Sequence, residues 1–324
     1  MKKISGILSF ILSCALMTGT IAWGATDWPN DRITLLCGLS AGGSSDLGSR
    51  YLADALGKEL GVPVIVENLT GSGSWIAWNR LLHNTKRDGN TFAFVNHNVV
   101  FGEYDQDNPR EDGLDDFELL LGQAVEYTNF LVNAKENRFN NLKEFVAYAQ
   151  KNVVLTAAQG TGITDGDASL IEAMRKYLGC KIDIVPTDGG SESMAMLLAG
   201  DIDFYLQNTG SAARALADKT VKDYAIFAPT RSTMLPDVPT AKELGITDLV
   251  AGVVRGFAYP KGVDPEIVSK MKEAMERAMT RADYLKNMRS LNIEPVLMKD
   301  SEFYNMLSSQ LDSRLAIWGL QKKK

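Results

Sequence analysis

The stretch ITLLCGLSAGGSSD, residues 33–46, decides the fold class of this chain. Its first five residues are an apolar run of the length expected for a buried strand. A glycine-bearing turn follows, and a helical repeat of apolar residues over 47–60 begins directly after it. In such a strand–turn–helix unit, free backbone N–H groups and the positive end of the helix dipole meet at one point. The stretch therefore predicts an anion-binding turn that needs no charged side chain.

Strand-like and helix-like segments alternate along most of the chain. Short strands are predicted at residues 33–37, 62–66, 91–95, 130–133, 153–157, 182–185, 203–206 and 224–228, and helices at 47–60, 76–82, 142–150, 168–178, 191–198 and 211–217. This alternation predicts an α/β fold in which helices cover both faces of a parallel sheet. The segment 264–320 is predicted to be mostly helical, with Pro265 in a first turn.

Three further glycine-rich turns follow predicted strands and precede predicted helices, at residues 68–75, 158–165 and 187–191. The first turn lacks the lysine of a phosphate-binding loop, and the second carries Ile76 where a dinucleotide-binding turn has its last glycine. Each turn taken alone is more often a plain tight turn than a binding loop. In an open parallel sheet, however, all four fall at the carboxyl edge, where ligands bind. Two pairs of such turns predict two sheets that face each other across a cleft.

The N-terminus has the pattern of an export signal. Two lysines precede an apolar run from residue 4 to residue 17, and small and polar residues follow up to Ala25. The run is shorter than the about 20 apolar residues of a membrane span. We expect a signal peptide over residues 1–25 that is cleaved near Ala25, rather than lipid attachment at Cys14. The protein is therefore expected to be periplasmic.

Composition excludes several kinds of partner and site. The net charge of −6 argues against a nucleic-acid partner. Only two histidines are present, and no Cys or His pair has metal-ligand spacing, so we expect neither a metal nor a cofactor. Cys37 and Cys180 are expected to be buried thiols. One segment, GLSAG at residues 38–42, matches the Gly-x-Ser-x-Gly pattern of a hydrolase elbow, so the motif does not exclude a secreted hydrolase.

Six segments together resemble the substrate receptors of tripartite tricarboxylate transporters, also called Bug receptors. They are LSAGGSSD (39–46), VPVIVEN (62–68), GSG (71–73), VPTDGG (185–190), LAGDID (198–203) and LPDVPT (235–240). The resemblance covers nearly the whole chain after residue 28. It implies a type II periplasmic binding protein fold, with two doubly wound α/β lobes, a hinge and a ligand cleft. Lobe 1 would comprise residues 26–126 and 252–324, and lobe 2 residues 127–251.

The resemblance also implies which residues hold the ligand. Backbone amides and small hydroxyls of the first two turns would bind a ligand carboxylate, and lobe 2 would supply three further segments. The implied residues are Ser40, Gly42, Gly43, Ser44, Ser45, Ser72, Gly73, Ser74, Thr161, Gly162, Thr164, Thr187 and Asn208. Asp46 is expected to cap a helix rather than to touch an anionic ligand.

The chain departs from the family pattern on the lobe 2 side of the cleft. Thr187-Asp188 replaces a tyrosine-lysine pair, and Asp165 and Asp167 stand where the family has serine or histidine. Acids in a first helical turn commonly cap the helix, which is our interpretation of Asp167, whereas Asp165 and Asp188 stay candidate ligand-binding residues. We expect a ligand that is anionic at its lobe 1 end and neutral, amine-bearing or cation-bridged at the other.

Two tryptophans replace the small residues that usually follow the second glycine turn. Trp75 and Trp78 either wall the pocket and favour a flat or aromatic ligand, or pack inside the lobe as a pair on one helix face. Trp75 is therefore a further candidate ligand-binding residue.

The implied function is that of a monomeric solute receptor. It would bind a small organic carboxylate between its lobes and deliver it to a cognate tripartite membrane permease, without catalysis. Two alternatives stay open, which are a periplasmic receptor for a two-component sensor and a secreted hydrolase. Loss of uptake on deletion would separate transport from signalling, and turnover of the bound ligand would indicate a hydrolase.

Overall fold

The structure is a computed structural model that describes residues 28–104, 109–159, 166–187, 190–247 and 249–322. Its strands are β1 (Ile33–Cys37), β2 (Val64–Asn68), β3 (Thr91–Asn96), β4 (Phe117–Asn133), β5 (Val154–Gln159), β6 (Lys181–Pro186), β7 (Tyr205–Asn208), β8 (Val221–Ile226), β9 (Gly252–Pro260) and β10 (Pro295–Lys299). Its helices are α1 (Ser44–Leu60), α2 (Trp75–Asn84), α3 (Leu142–Ala149), α4 (Gly166–Leu178), α5 (Gly190–Ala199), α6 (Thr209–Ala217), α7 (Pro265–Thr280), α8 (Ala282–Ser290) and α9 (Asp300–Trp318).

The main sheet is mixed, with the strand order β10-β4-β9-β3-β1-β2. β1 pairs in parallel with β2 and with β3, as predicted. β9 runs antiparallel to β3 and β4, and β10 runs antiparallel to β4. The predicted parallel sheet is therefore one part of a mixed sheet. The predicted parallel units are present, but strands that sequence reasoning did not assign extend the sheet in antiparallel fashion.

One strand crosses from one half of the molecule to the other. β4 pairs with β9 up to Tyr127, which lies opposite Gly252. From Thr128 onward it pairs with β7 and β8. A Cβ atom on Gly252 would lie 2.4 Å from the carbonyl oxygen of Glu126 and 2.8 Å from the Cα of Tyr127, so the close approach of the two strands requires glycine.

The buried apolar side chains form separate clusters on the two sides of this crossing. Among the described residues, the members of two clusters come from residues 28–124 and 254–315. The members of the other two come from residues 130–241. The fold is thus a mixed α/β fold with two lobes, as expected. Cys37 and Cys180 are free and buried, one in each half.

The helical predictions hold for most of the chain. α7 begins at Pro265, and the side chain of Asp264 accepts a hydrogen bond from the Glu266 N–H at 2.8 Å. The expectation of a mostly helical segment after residue 264 is confirmed except for β10, which lies inside it. Within residues 28–322, as far as the structure describes them, no helix is long and apolar enough to cross a bilayer. The predicted signal peptide lies outside the described residues.

The core around α2 gives a direct test of this packing. Trp78 is fully buried, and its Nε1 donates to the Phe94 carbonyl at 2.9 Å. We expect Trp78→Ala to lower the free energy of unfolding by about 3–5 kcal/mol in urea denaturation, because it removes a large buried side chain. Asn79→Ala, an exposed change on the same helix, should stay within about 0.5 kcal/mol. Equal losses in the two variants would contradict the placement of Trp78 in the core.

Candidate functional site

The first glycine turn lies between β1 and α1, and the side chain of Asp46 fixes its shape. This carboxylate is 1% exposed. Its Oδ2 accepts hydrogen bonds from the Gly42 N–H at 2.8 Å and from Arg50 Nε at 3.0 Å. Its Oδ1 accepts from Asn68 Nδ2 at 2.9 Å, which ties the turn to the end of β2. Gly42 has φ +83°, a left-handed conformation that favours glycine.

The expectation that Asp46 caps a helix needs a correction. The N-cap of α1 is Gly43, so no side chain caps the helix from this position. Asp46 lies inside the first turn instead, and its carboxylate accepts a hydrogen bond from the Gly42 N–H. Burial alone would raise the pKa of Asp46, but the hydrogen bonds from Arg50, Gly42 and Asn68 outweigh it and hold that pKa below its usual range. The carboxylate is therefore ionised and fully engaged with its own chain. The N–H groups of Ser44 and Ser45, in the first turn of α1, have no partner within the helix.

The second glycine turn is strained. Ser72, Gly73 and Ser74 have φ values of +47°, +63° and +87°, so three consecutive residues occupy the left-handed region. A non-glycine residue held there costs on the order of 1–3 kcal/mol, and such strain clusters at ligand-binding sites. The turn packs directly on the end of β1, since a Cβ atom on Gly38 would lie 2.4 Å from the Cβ of Ser74. The Ser74 hydroxyl is buried without a hydrogen-bond partner among the described residues.

A third segment at the same sheet edge, Asn96-His97-Asn98, was missed by sequence reasoning. Asn98 Nδ2 donates to the Gly73 carbonyl at 3.4 Å, so this segment adjoins the second turn. His97 is buried, and its pKa is lowered to about 3 by burial and by the nearby cations of Arg314 and Arg255. It is therefore neutral at physiological pH. In the sequence, the three polar residues directly after the predicted strand at 91–95 could have indicated that this segment belongs to the candidate site.

A buried arginine behind the first turn was also missed. Arg255 lies in β9 and is 7% exposed. Its Nη1 donates to the Ser44 Oγ at 3.1 Å, and its Nη2 forms an ion pair with Glu126 in β4. Burial raises the pKa of Glu126, although the Arg255 charge and the Gly210 N–H act to lower it. In the sequence, the single arginine within the apolar segment GVVRGFAYP could have indicated a buried charge near the site.

Of the site residues predicted in residues 127–251, the structure describes only Thr187 and Asn208. Thr187 and Ser193 are buried, and their hydroxyl oxygens lie 2.7 Å apart. Asn208 ends β7 and is the N-cap of α6, without a side-chain cap. A Cβ atom on Gly210, in the first turn of α6, would lie 2.7 Å from Glu126 Oε1, so this helix start meets the Glu126–Arg255 ion pair. The predicted residues Thr161, Gly162, Thr164, Asp165 and Asp188 lie outside the described residues.

The predicted residues of lobe 1 divide into exposed and buried groups. Those exposed are Ser40, Gly42, Gly43, Ser44, Ser72 and Gly73, whereas Ser45, Ser74 and Trp75 are buried. Trp75 packs edge-to-face on Trp78 with ring centroids 5.0 Å apart, and Arg110 lies 5.9 Å from its ring. This packing favours the second interpretation of the tryptophan pair, as part of the lobe core. In the described ranges, no group of three or more His, Cys, Asp or Glu side chains is placed to hold a metal ion.

The lowered pKa of His97 predicts how the free energy of unfolding depends on pH. In the unfolded chain a histidine binds a proton below about pH 6.5, whereas folded His97 stays neutral until about pH 3. Because the unfolded state then binds more protons, stability should fall as the pH falls, by up to about 1.4 kcal/mol per pH unit for this residue. Urea denaturation between about pH 6.5 and pH 5 should show this slope reduced in His97→Gln.

The control for this measurement is Asn79→Ala. This exposed change removes no titratable group, so the variant should leave the slope in place. The same pH dependence in wild type and His97→Gln would contradict the neutral state assigned to His97.

Comparison with known proteins places this chain in a family. The profile of the family described as "Tripartite tricarboxylate transporter family receptor" matches residues 49–319. A protein of Cupriavidus necator, named "UPF0065 protein in gbd 5'region", is 30% identical over 322 residues, which is 95% of each chain.

Solved structures agree on the fold. A TctC solute binding protein from Polaromonas superposes with a TM-score of 0.79 at 22% identity, covering 90% of this chain and 99% of that one. MatC from Rhodopseudomonas palustris with bound malate superposes with a TM-score of 0.72 at 22% identity, covering 89% and 99%. At these identities the likeness shows the fold alone, while the profile match and the Cupriavidus relative show the family. The chain belongs to the tripartite tricarboxylate transporter receptor family and has the fold of its solute-binding proteins.

Proposed function

We propose that this chain is an exported, periplasmic receptor that binds a small organic carboxylate between its lobes. It then delivers the ligand to a tripartite membrane permease and catalyses no reaction. The observation that carries the proposal is the first glycine turn. Its exposed residues stand at the start of α1, and the acid beside them, Asp46, is already bonded to Gly42, Arg50 and Asn68.

The arrangement of the first two turns supports a carboxylate at the lobe 1 end. β1 and β2 are parallel neighbours, so the turns that follow them adjoin at one sheet edge. The start of α1 offers unpaired N–H groups and a positive dipole end, a combination that favours anions. The exposed hydroxyls of Ser44 and Ser72 add donors at the same edge. Recognition then depends on hydrogen bonds and a helix dipole rather than on a free cation.

The strand crossing supports a closing motion. We assign lobe 1 to residues 26–126 and 252–324 and lobe 2 to residues 127–251. The partners of β4 change between Tyr127 and Thr128, next to Gly252, so motion at these positions would leave both cores intact. A ligand held by both lobes would shift the population toward the closed form. The closed form is the state that we expect a permease to recognise.

The lobe 2 end sets the expected ligand class. The sequence places Asp165, Asp167 and Asp188 at the turns of lobe 2 and no lysine or arginine there. Negative charge disfavours a second carboxylate. We therefore propose a ligand whose far end is neutral, amine-bearing or bridged by a cation. The malate bound to the structural neighbour MatC supports a small carboxylate in general.

A calorimetric binding panel of malate, adipate, benzoate, glutamate and citrate tests this proposal. Because the lobe 2 turns are acidic, we expect the purified protein to bind a monocarboxylate or an amino acid more tightly than citrate. Ser72→Ala should weaken binding of the preferred ligand about tenfold, since a hydrogen bond to a charged group contributes about 1.5–3 kcal/mol.

The control for the panel is Ser290→Ala, at an exposed position on α8, which should not change affinity. Citrate bound most tightly would contradict the charge assignment. Turnover of a ligand, followed by NMR, would contradict the absence of catalysis. Unchanged uptake in a deletion strain would favour the sensor alternative.

A further inference from the structure

The Ser44 hydroxyl stands between the open cleft edge and a buried guanidinium. Ser44 is exposed at the first position of α1. Behind it, Arg255 Nη1 lies 3.1 Å from the Ser44 Oγ, and the arginine is almost fully buried. Within the described part of the chain, no other predicted residue of the first turn contacts a cation. The contact with Arg255 therefore distinguishes the Ser44 hydroxyl from the other small polar groups of the turn.

The chemistry of the two groups fixes the direction of their hydrogen bond. A guanidinium is always protonated in proteins and has donors only, so the Ser44 oxygen must be the acceptor. The hydroxyl hydrogen is then left to point toward another acceptor. A carboxylate consists of acceptors only, whereas an ammonium group consists of donors only. A hydroxyl held in this way favours the carboxylate and disfavours the ammonium.

The ion pair with Glu126 holds the guanidinium in place. Glu126 and Arg255 are both buried and lie on the neighbouring strands β4 and β9. On the other side of Arg255, β3 places Asn96 opposite it in register, and neutral His97 follows. Besides Arg255, the cation that acts on His97 is Arg314, whose guanidinium stacks over Phe101 at 4.5 Å. A buried pair is costly to break, so the arginine is restricted to one orientation.

The geometry points to a role for Arg255 that rests on the proposed function and deepens it. We propose that Arg255, anchored by Glu126, is a positioning residue that fixes the Ser44 hydroxyl as a donor to the ligand carboxylate. The first turn thereby favours a carboxylate over an ammonium group, which has no acceptor for the hydroxyl hydrogen, and over the corresponding amide, whose neutral carbonyl accepts a weaker hydrogen bond than an ionised carboxylate does. Arg255 itself does not contact the ligand, and acts through Ser44.

A double-mutant cycle tests this role, with wild type, Ser44→Ala, Arg255→Lys and the double variant. The probe is the tightest-binding carboxylate of the panel above, together with its primary amide. Lysine keeps the charge, but one ammonium group cannot reproduce the two-pronged contact with Glu126 and Ser44. We expect each single variant to weaken carboxylate binding about tenfold and to reduce the preference over the amide. In the Ser44→Ala background, Arg255→Lys should change affinity less than about twofold.

Several outcomes would overturn the inference. Equal losses from Arg255→Lys in both backgrounds would show that the arginine acts only on folding or through another residue. Failure of Ser44→Thr, which keeps the hydroxyl, to restore binding would also contradict it. If Arg255→Lys does not fold by circular dichroism, the neutral pair Arg255→Met with Glu126→Gln replaces it, since neutral replacement of a buried ion pair is often tolerated. This neutral replacement must then weaken carboxylate binding in the wild-type background and leave it nearly unchanged in the Ser44→Ala background.

The proposed function and this inference fail in different ways. Wild type that binds none of the panel carboxylates would overturn both. Wild type that binds a carboxylate, combined with an additive cycle, would overturn the role of Arg255 and leave the receptor function standing.

Discussion

The antiparallel pairing of β4 with β9 is the constraint on which the rest of the structure depends. β4 carries the chain out of one lobe, and β9 returns it at Gly252, where a side chain would collide with the backbone of Glu126 and Tyr127. The same two strands place Glu126 and Arg255 beside the first glycine turn. The pairing of β4 with β9 therefore determines both where the chain passes between the lobes and which charges lie beside the first turn. A change in this pairing would alter both together.

Features that depend on local pattern could be predicted from the sequence, and those that depend on distant pairing could not. β1, α1 and the turn between them follow from apolar spacing and glycine over residues 33–60, and they form as expected. β10 was predicted to be helical, because only its contact with β4 makes it a strand. Arg255 joins the site for the same reason, since antiparallel pairing sets it opposite Asn96. Asn98 lies just beyond the carboxyl end of β3, which is parallel to β1. The rule that ligands bind at the carboxyl edge of a parallel sheet could therefore have identified it.

The charges around the first turn are largely balanced within the protein. Asp46 is matched by Arg50, and Glu126 by Arg255, while burial keeps His97 neutral. Because Asp46 and Glu126 each have an arginine partner, we propose that the helix start and the oriented Ser44 hydroxyl decide what binds. In the function that we propose, such a site would hold a carboxylate by geometry rather than by a free cation.

The central claim is that the lobes close over a carboxylate about the β4–β9 crossing. The most direct test is an electron spin distance measurement between labels on exposed cysteines introduced at Asn79 in α2 and Ala195 in α5. The native Cys37 and Cys180 are buried and should not react. The account predicts that the distance distribution shortens when the tightest-binding carboxylate is added to saturation. A distribution that stays the same with bound ligand would contradict it.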